Sequence, residues 1–308
     1  MIFLPSIYGF ANDVEKCIYS DIDNSHVKLI PRVAVPTMKY FFGSRYALAA
    51  FTKKSKMFNK VVMKSLFDKD DMVVLPKDKV VLKNIKADIS IEDAGERTVL
   101  PSEVVNEMLR RADKIFIMNF CLCRRSSKCE DYPIDHGCVF LGSGTDRIPP
   151  EFGRKATSKE AIEYIKECGD LGLVHIIGRN KLDRIWLSTG KKNELLTICN
   201  CCPCCCLWNV TRNISDEIGS LFKRMETVEV TIDSEKCVGC GKCADICFTK
   251  AITLEDGKAS MDDVLCRGCG RCLEKCNSDA ISLSYDPESV NSEIDRIASM
   301  YSFGKKED

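Results

Sequence analysis

The feature that constrains this chain most is its cysteine. Twenty cysteines stand against three histidines in 308 residues, and they are bunched rather than spread. Bunched cysteines serve either disulfides or thiolate metal ligation. Disulfide scaffolds are usually short chains without a sufficient core, whereas a chain of this length can bury one. Neighbours such as Cys204, Cys205 and Cys206 cannot all be bridged with good geometry. Met1-Ile2-Phe3-Leu4-Pro5 lacks the basic start of a secretory signal, and Asp13 and Glu15 soon interrupt the apolar residues. No apolar run reaches the roughly 18 residues of a membrane span. The expectation is a reducing, cytoplasmic setting and thiolates that hold metal.

Two segments near the C-terminus repeat. Residues 237–248 read CVGCGKCADICF and residues 266–277 read CRGCGRCLEKCN, an offset of 29 residues. Both are C-x2-C-x2-C-x3-C. Ile232-Asp233 matches Met261-Asp262 before the cysteines, and Ala251-Ile252-x-Leu254 matches Ala280-Ile281-x-Leu283 after them. Each unit therefore reads as strand, cysteine loop, helical turn and return strand. Gly239, Gly241, Gly268 and Gly270 let backbone N–H groups approach a bound cluster. Zinc is the alternative occupant, but zinc sites rarely place eight cysteines in this spacing. Residues 226–285 resemble the bacterial-type ferredoxins that carry two [4Fe-4S] clusters. The resemblance implies crossed ligation: Cys237, Cys240, Cys243 and Cys276 for one cluster, and Cys266, Cys269, Cys272 and Cys247 for the other. The proline usual after the fourth cysteine is Phe248 and Asn277 here, a change that re-aims a turn without removing a ligand.

Twelve more cysteines lie upstream, ten of them in two groups. Lys114–Phe120 reads as a buried strand that runs into Cys121, Cys123, Cys129 and Cys138. Glu194–Ile198 reads as a second strand, running into Cys199, Cys201, Cys202, Cys204, Cys205 and Cys206. Two strands ending in cysteine loops bring these thiols to one sheet edge, enough for one or two further iron–sulfur clusters. A zinc site of Cys121, Cys123, Cys129 and Cys138 is the alternative, and surplus thiols suit a noncubane cluster or a redox-active pair. Arg124 and Arg125 would offset the charge of such a centre. The spacing is similar to that of a family of anaerobe proteins with a C-terminal dicluster ferredoxin unit. Its pattern stands here as Cys121-Leu-Cys123-Arg124, Cys129, Pro133, Cys138, Gly153-Arg154, Gly172-Leu-Val-His175 and the run Cys199 to Cys206.

Elsewhere, Ser102 is expected to cap a helix over about 102–112, and Thr157-x-x-Glu160 is a capping box for a helix ending near Gly169. Cys168 reads as a core thiol, Cys17 as inert, and His175 as structural. His136, beside Cys138, is a candidate to ligate or orient a cluster. Ile185–Ser188 and Glu194–Ile198 read as a hairpin across Thr189-Gly190-Lys191. Residues 28–67 carry nine Lys or Arg and no acid. There Met57, Phe58, Val61, Val62 and Leu66 give an apolar helix face beside a stripe of Lys53, Lys56, Lys60 and Lys64.

The expected fold is α+β. An N-terminal region over 1–100 holds the basic amphipathic helix. A cysteine-rich α/β domain follows over 101–225, then a ferredoxin-like dicluster domain over 226–285 and a helix and tail over 286–308. The leading function is low-potential intracellular electron transfer. The alternatives are an iron–sulfur reductase acting on a disulfide, sulfur compound or corrinoid, a reductive activator of a corrinoid enzyme, and a cluster scaffold. The lysine stripe suits a solvated face, an acidic redox partner or, less well, an anionic membrane surface. Lys+Arg and Asp+Glu are 45 each, which argues against nucleic acid. No phosphate-binding or dinucleotide motif occurs, and a flavin remains compatible with the sequence.

Overall fold

The computed structural model describes residues 29–81 and 100–301. Cys17 and the tail beyond Tyr301 lie outside the described residues. A seven-stranded sheet in the order β4-β2-β3-β6-β5-β1-β7 organises the chain. Its strands are β1 (Asp71–Val74), β2 (Ile115–Met118), β3 (Val139–Leu141), β4 (Gly153–Lys155), β5 (Val174–Arg179), β6 (Leu196–Cys201) and β7 (Phe222–Arg224). Among the described residues of this sheet, only the β1–β7 pairing is parallel. Thus a strand from the expected N-terminal region lies hydrogen-bonded between β5 and β7.

The strand period of two sorts the side chains. Ile117, Val139, Ile198, Ile177 and Val73 pair in register across five strands and share one core. That core is covered by α3 (Ser102–Arg111), α5 (Ser158–Asp170) and α10 (Glu288–Ser299). The helix of the expected C-terminal segment is therefore part of this layer. The opposite face carries Met72, Val74 and Ile176, with Phe116 and Phe140 farther along. It is covered by α1 (Leu29–Lys54), α6 (Lys181–Leu187) and a 3-10 turn, Leu207–Arg212.

The capping box of α5 forms as the sequence suggests, with Thr157 and Glu160 each bonding the other's backbone. Three expectations need correction. Pro101, not Ser102, stands at the α3 cap, and the Ser102 N–H is taken by the Asp78 carboxylate at 3.1 Å. The 185–198 hairpin does not form, because Ile185–Leu187 is helical. The Asn180 side chain accepts the N–H groups of Leu182 and Asp183, which starts a helix. Leu182, Trp186 and Leu187 then share its buried face, a spacing that a short strand pattern imitates. Finally, the basic helix breaks at Ser55, which caps α2 (Lys56–Val62), and none of the residues of α2 is buried. Met57, placed on the apolar face by its spacing, is 67% exposed.

The ferredoxin-like unit has two hairpin-like pairs: β8 (Glu229–Ile232) with β11 (Ile281–Ser284), and β9 (Ile252–Glu255) with β10 (Lys258–Met261). Its helical turns are α8 (Lys242–Ile246) and α9 (Arg271–Lys275). The sequence repeat is a structural repeat. Asp233 N–H donates to Ala280 O and Asp262 N–H to Ala251 O, both at 2.7 Å, so each half closes on the other.

Gly178 has φ of 150°, and a Cβ there would lie 2.0 Å from the Asp71 carbonyl oxygen of β1. Gly178→Ala is expected to destabilise the fold by about 1–3 kcal/mol through this backbone clash, read as a lowered thermal midpoint. An unchanged midpoint would show that β1 yields without cost.

Candidate metal centre

The first thiol quartet lies in the ferredoxin-like unit. Cys237, Cys240, Cys243 and Cys276 line one small cavity, so the fourth cysteine of the second motif joins the first three of the first. Cys247 in turn lies within electrostatic reach of Cys266, Cys269 and Cys272. Backbone N–H groups point at the sulfurs: Ala259 to Cys237 at 3.4 Å, Ala280 to Cys276 at 3.3 Å and Gly268 to Cys266 at 3.4 Å. A Cβ at Gly239, whose φ is 69°, would lie 2.0 Å from Gly257 O; the loop can follow this path only with glycine there. Four sulfurs facing a small cavity, with N–H donors aimed at them, fit a [4Fe-4S] cluster at the Cys237 quartet.

The ten upstream thiols separate into two groups. One is an unbroken string of sulfur contacts: Cys121, Cys123, Cys206, Cys201, Cys199, Cys138. Within it Cys201 and Cys206 are 3.0 Å apart and Cys138 and Cys199 are 3.9 Å apart. The other group is Cys129, Cys202, Cys204 and Cys205, whose sulfurs all lie within 4.8 Å of one another. The set Cys121, Cys123, Cys129 and Cys138, weighed for zinc from the sequence, is thus not brought together. Alternation along β6 explains the division. Cys199 and Cys201 are inside the strand, not beyond it, and pack in the core that Phe42 and Met72 share. Cys202 follows immediately and turns the other way, toward Cys129, Cys168 and Leu173.

Arg124 stands between the groups. It is fully buried, donates to Asn200 O at 2.9 Å and to His136 O, and leaves its Nε without a partner. Burial disfavours its charge, but the sulfurs of Cys121, Cys202, Cys138 and Cys201 hold it protonated. Arg125 takes no part in this; it is exposed and lies over the Phe120 ring. Most of the string resists ionisation. The neighbouring Cys123 thiol and burial push Cys121 up, and Cys138 and Cys201 do the same to Cys199. Cys201 is instead drawn down to about 6 by hydrogen bonds from Cys199 and Cys206. Closely packed, mostly buried thiols of this kind ionise together only around a cation, so the donor set fits a metal centre.

The remaining candidates sort clearly. His136 bonds Asp135 through Nδ1 at 2.9 Å and Glu167 through Nε2 at 3.1 Å, so both ring nitrogens are taken by carboxylates rather than sulfur. His175 is half-buried, with Nδ1 2.8 Å from Asn200 Oδ1. Cys168 is a core thiol with no exposure. Lys53, Lys56, Lys60 and Lys64 are all exposed, beside the exposed apolar Leu48, Phe51 and Met57. Sequence reasoning marked Phe248 only as a departure from proline and passed over Arg271. Phe248 is buried in the same apolar core as Cys199, Cys201 and Cys206, and Cys269 packs against that core. Arg271, 4% exposed, donates to Cys201 O and lies over the Phe248 ring. The available signal was the departure from proline at Phe248.

The 4Fe-4S binding domain family matches residues 230–253. The chain is 50% identical over 30 residues to Ferredoxin-2 of Desulfomicrobium norvegicum, which is 10% of this chain and 51% of that protein. The chain thus spans about half the length of this curated relative. No solved structure matches. These likenesses support a ferredoxin-like iron–sulfur domain over this segment.

Cys247→Ser is expected to damage the cluster of Cys266, Cys269 and Cys272 and spare that of Cys237, as read by EPR of the reduced protein. Loss confined to the Cys237 cluster would contradict the cavity that Cys276 completes. His136 should titrate above its ordinary value. Burial opposes its charge, but the Glu167 and Asp135 carboxylates outweigh it. Stability from the His136–Glu167 pair is then present below the unfolded pKa and fades as pH rises through the raised folded one. NMR of the His136 ring checks this, and a pKa at or below about 6.5 would remove the pair's contribution.

Proposed function

We propose that this chain is a low-potential electron carrier in which two [4Fe-4S] clusters connect to a further iron–sulfur centre at the six-thiol string. Clusters bound at these thiols supply one-electron exchange over roughly −700 to +450 mV. The supporting observation is the junction at Cys269. This cysteine packs against the core that contains Cys199, Cys201 and Cys206, and Arg271 bridges to Cys201 O. The Cys266 site is therefore the inner one. The Cys237 site is the outer one, with Cys240 exposed and Val238 72% exposed, a surface where a redox partner can approach. The lysine stripe of α1 and α2 suits an acidic partner, since charge complementarity steers encounter.

One observation favours a reductase as the second reading. A narrow, mostly apolar cavity reaches the string at Cys123, Cys138 and Cys199, between Phe42, Trp186 and Trp208. Asp183 also lines it, with its carboxyl raised to about 6 by burial. Such walls suit a small disulfide or sulfur compound beside the thiols.

Anaerobically prepared protein should contain at least about eight irons with matching inorganic sulfide, plus further iron that Cys199→Ser reduces. A count that stops at the ferredoxin clusters would remove the third centre. Changing Lys53, Lys56, Lys60 and Lys64 to Gln should slow exchange with an acidic ferredoxin-type partner mainly at low salt, since screening acts within about 10 Å at 0.1 M. Equal rates at every ionic strength would return the stripe to a solvated face.

A further inference from the structure

The four thiols that the string leaves out are much closer together than a cube allows. We infer that Cys129, Cys202, Cys204 and Cys205 form a mononuclear tetrathiolate site for one divalent ion of the zinc class, separate from every iron–sulfur cluster. The inference concerns only these four residues and does not depend on the electron relay.

Distance decides between the occupants. A tetrahedral ion with sulfur at about 2.3 Å sets its ligands about 3.8 Å apart. An iron–sulfur cube interposes its own iron and sulfide and sets its thiolates about 6 Å apart. Here all four sulfurs lie within 4.8 Å of one another, and Cys129 and Cys204 are 3.6 Å apart. Among the described residues, this is the one group of three or more potential ligands gathered so tightly. Neither ferredoxin-like quartet is gathered this tightly, and the close contacts of the string, Cys201 to Cys206 and Cys138 to Cys199, join its sulfurs only in pairs. The contrast separates a site for one ion from sites for a cube.

The loops agree with the distances. The Cys205 N–H donates to Cys202 Sγ at 3.4 Å, across a Cys-Pro-Cys-Cys turn. The N–H groups of Asp131 and Tyr132 turn back on Cys129 Sγ in the same way. Two short loops thus each wrap backbone donors around a ligating sulfur, an outer shell that stabilises thiolate. The Asn209 amide fixes the second loop by donating to Pro203 O at 2.8 Å and to Cys204 O at 3.2 Å. Four thiolates around a divalent ion leave two negative charges, and the Arg124 guanidinium lies within electrostatic reach of Cys202.

The site's position explains its use. Cys129 follows the helix Leu122–Ser127, which carries Cys123, and Cys205 immediately precedes Cys206. An ion that joins Cys129 to Cys202, Cys204 and Cys205 fastens together the two loops that build the six-thiol string. It acts as a clamp and exchanges no electrons.

The test uses the full chain purified without oxygen. Elemental analysis should find about one zinc per chain, and X-ray absorption at the zinc edge four sulfurs at about 2.3 Å. Cys204→Ser, at the exposed end of the site, should lose that zinc while inorganic sulfide stays unchanged. Iron lost together with sulfide from Cys204→Ser would overturn the inference, as would wild-type protein without a non-cluster metal. The absorption measurement needs no variant, so a misfolded Cys204→Ser leaves the inference open to refutation. The EPR signals of the ferredoxin-like unit report the relay separately, so failure of one reading does not mimic failure of the other.

Discussion

Thiolates repel one another, and the architecture around the central sheet answers that repulsion. Ten sulfurs meet in two groups, and Arg124, buried to the last atom and with Nε unpaired, is the permanent positive charge between them. A buried unpaired charge is costly. It is tolerable here because sulfurs approach it from both groups. Arg124 also fixes geometry: through Asn200 O and His136 O it ties the end of β6 to the loop that delivers Cys138. Removing it would leave both an uncompensated thiolate field and a slack loop.

The second organising fact is that a symmetric repeat is used asymmetrically. Lys242 and Arg271 occupy the same place in the two motifs, yet Lys242 is exposed and Arg271 is buried. Phe248 and Asn277 are likewise equivalent, and only Phe248 is buried. The end of the unit where Cys269, Arg271 and Phe248 meet faces the central domain, while the end that carries Cys240 faces solvent. Lys77 reinforces the docking by pairing with Glu274 of α9 at 2.6 Å. One end of the unit thus faces inward and the other outward from packing alone.

Helix α1 has a part in the site as well. It packs on α6, on the Leu122–Ser127 helix and on the 3-10 turn, and Phe42 reaches the cavity beside Cys123, Cys138 and Cys199. Arg45 and Arg212 both lie over the Tyr46 ring, which fastens the helix to the turn that follows Cys206. The same helix carries Lys53 near its outer end. A roof over the thiol string and a charged outer surface are therefore two faces of one element.

Spacing alone made the ferredoxin-like unit legible, because C-x2-C-x2-C-x3-C is a local pattern and its glycines are required by local backbone paths. The capping box at Thr157 and the core faces of α3 and α5 were legible for the same reason. Ile185–Leu187 misled because three apolar residues satisfy a strand and a helix equally, and Asn180, outside that window, decided for the helix. Composition showed that the upstream cysteines gather; it did not show how they divide. That division depends on which face of β6 each residue takes and on where the loops after the Leu122–Ser127 helix and β6 return. The burial of Arg271 and Phe248 depends on which end of the ferredoxin-like unit meets the sheet. These are long-range contacts between segments far apart in the chain, so only the tertiary structure decides them.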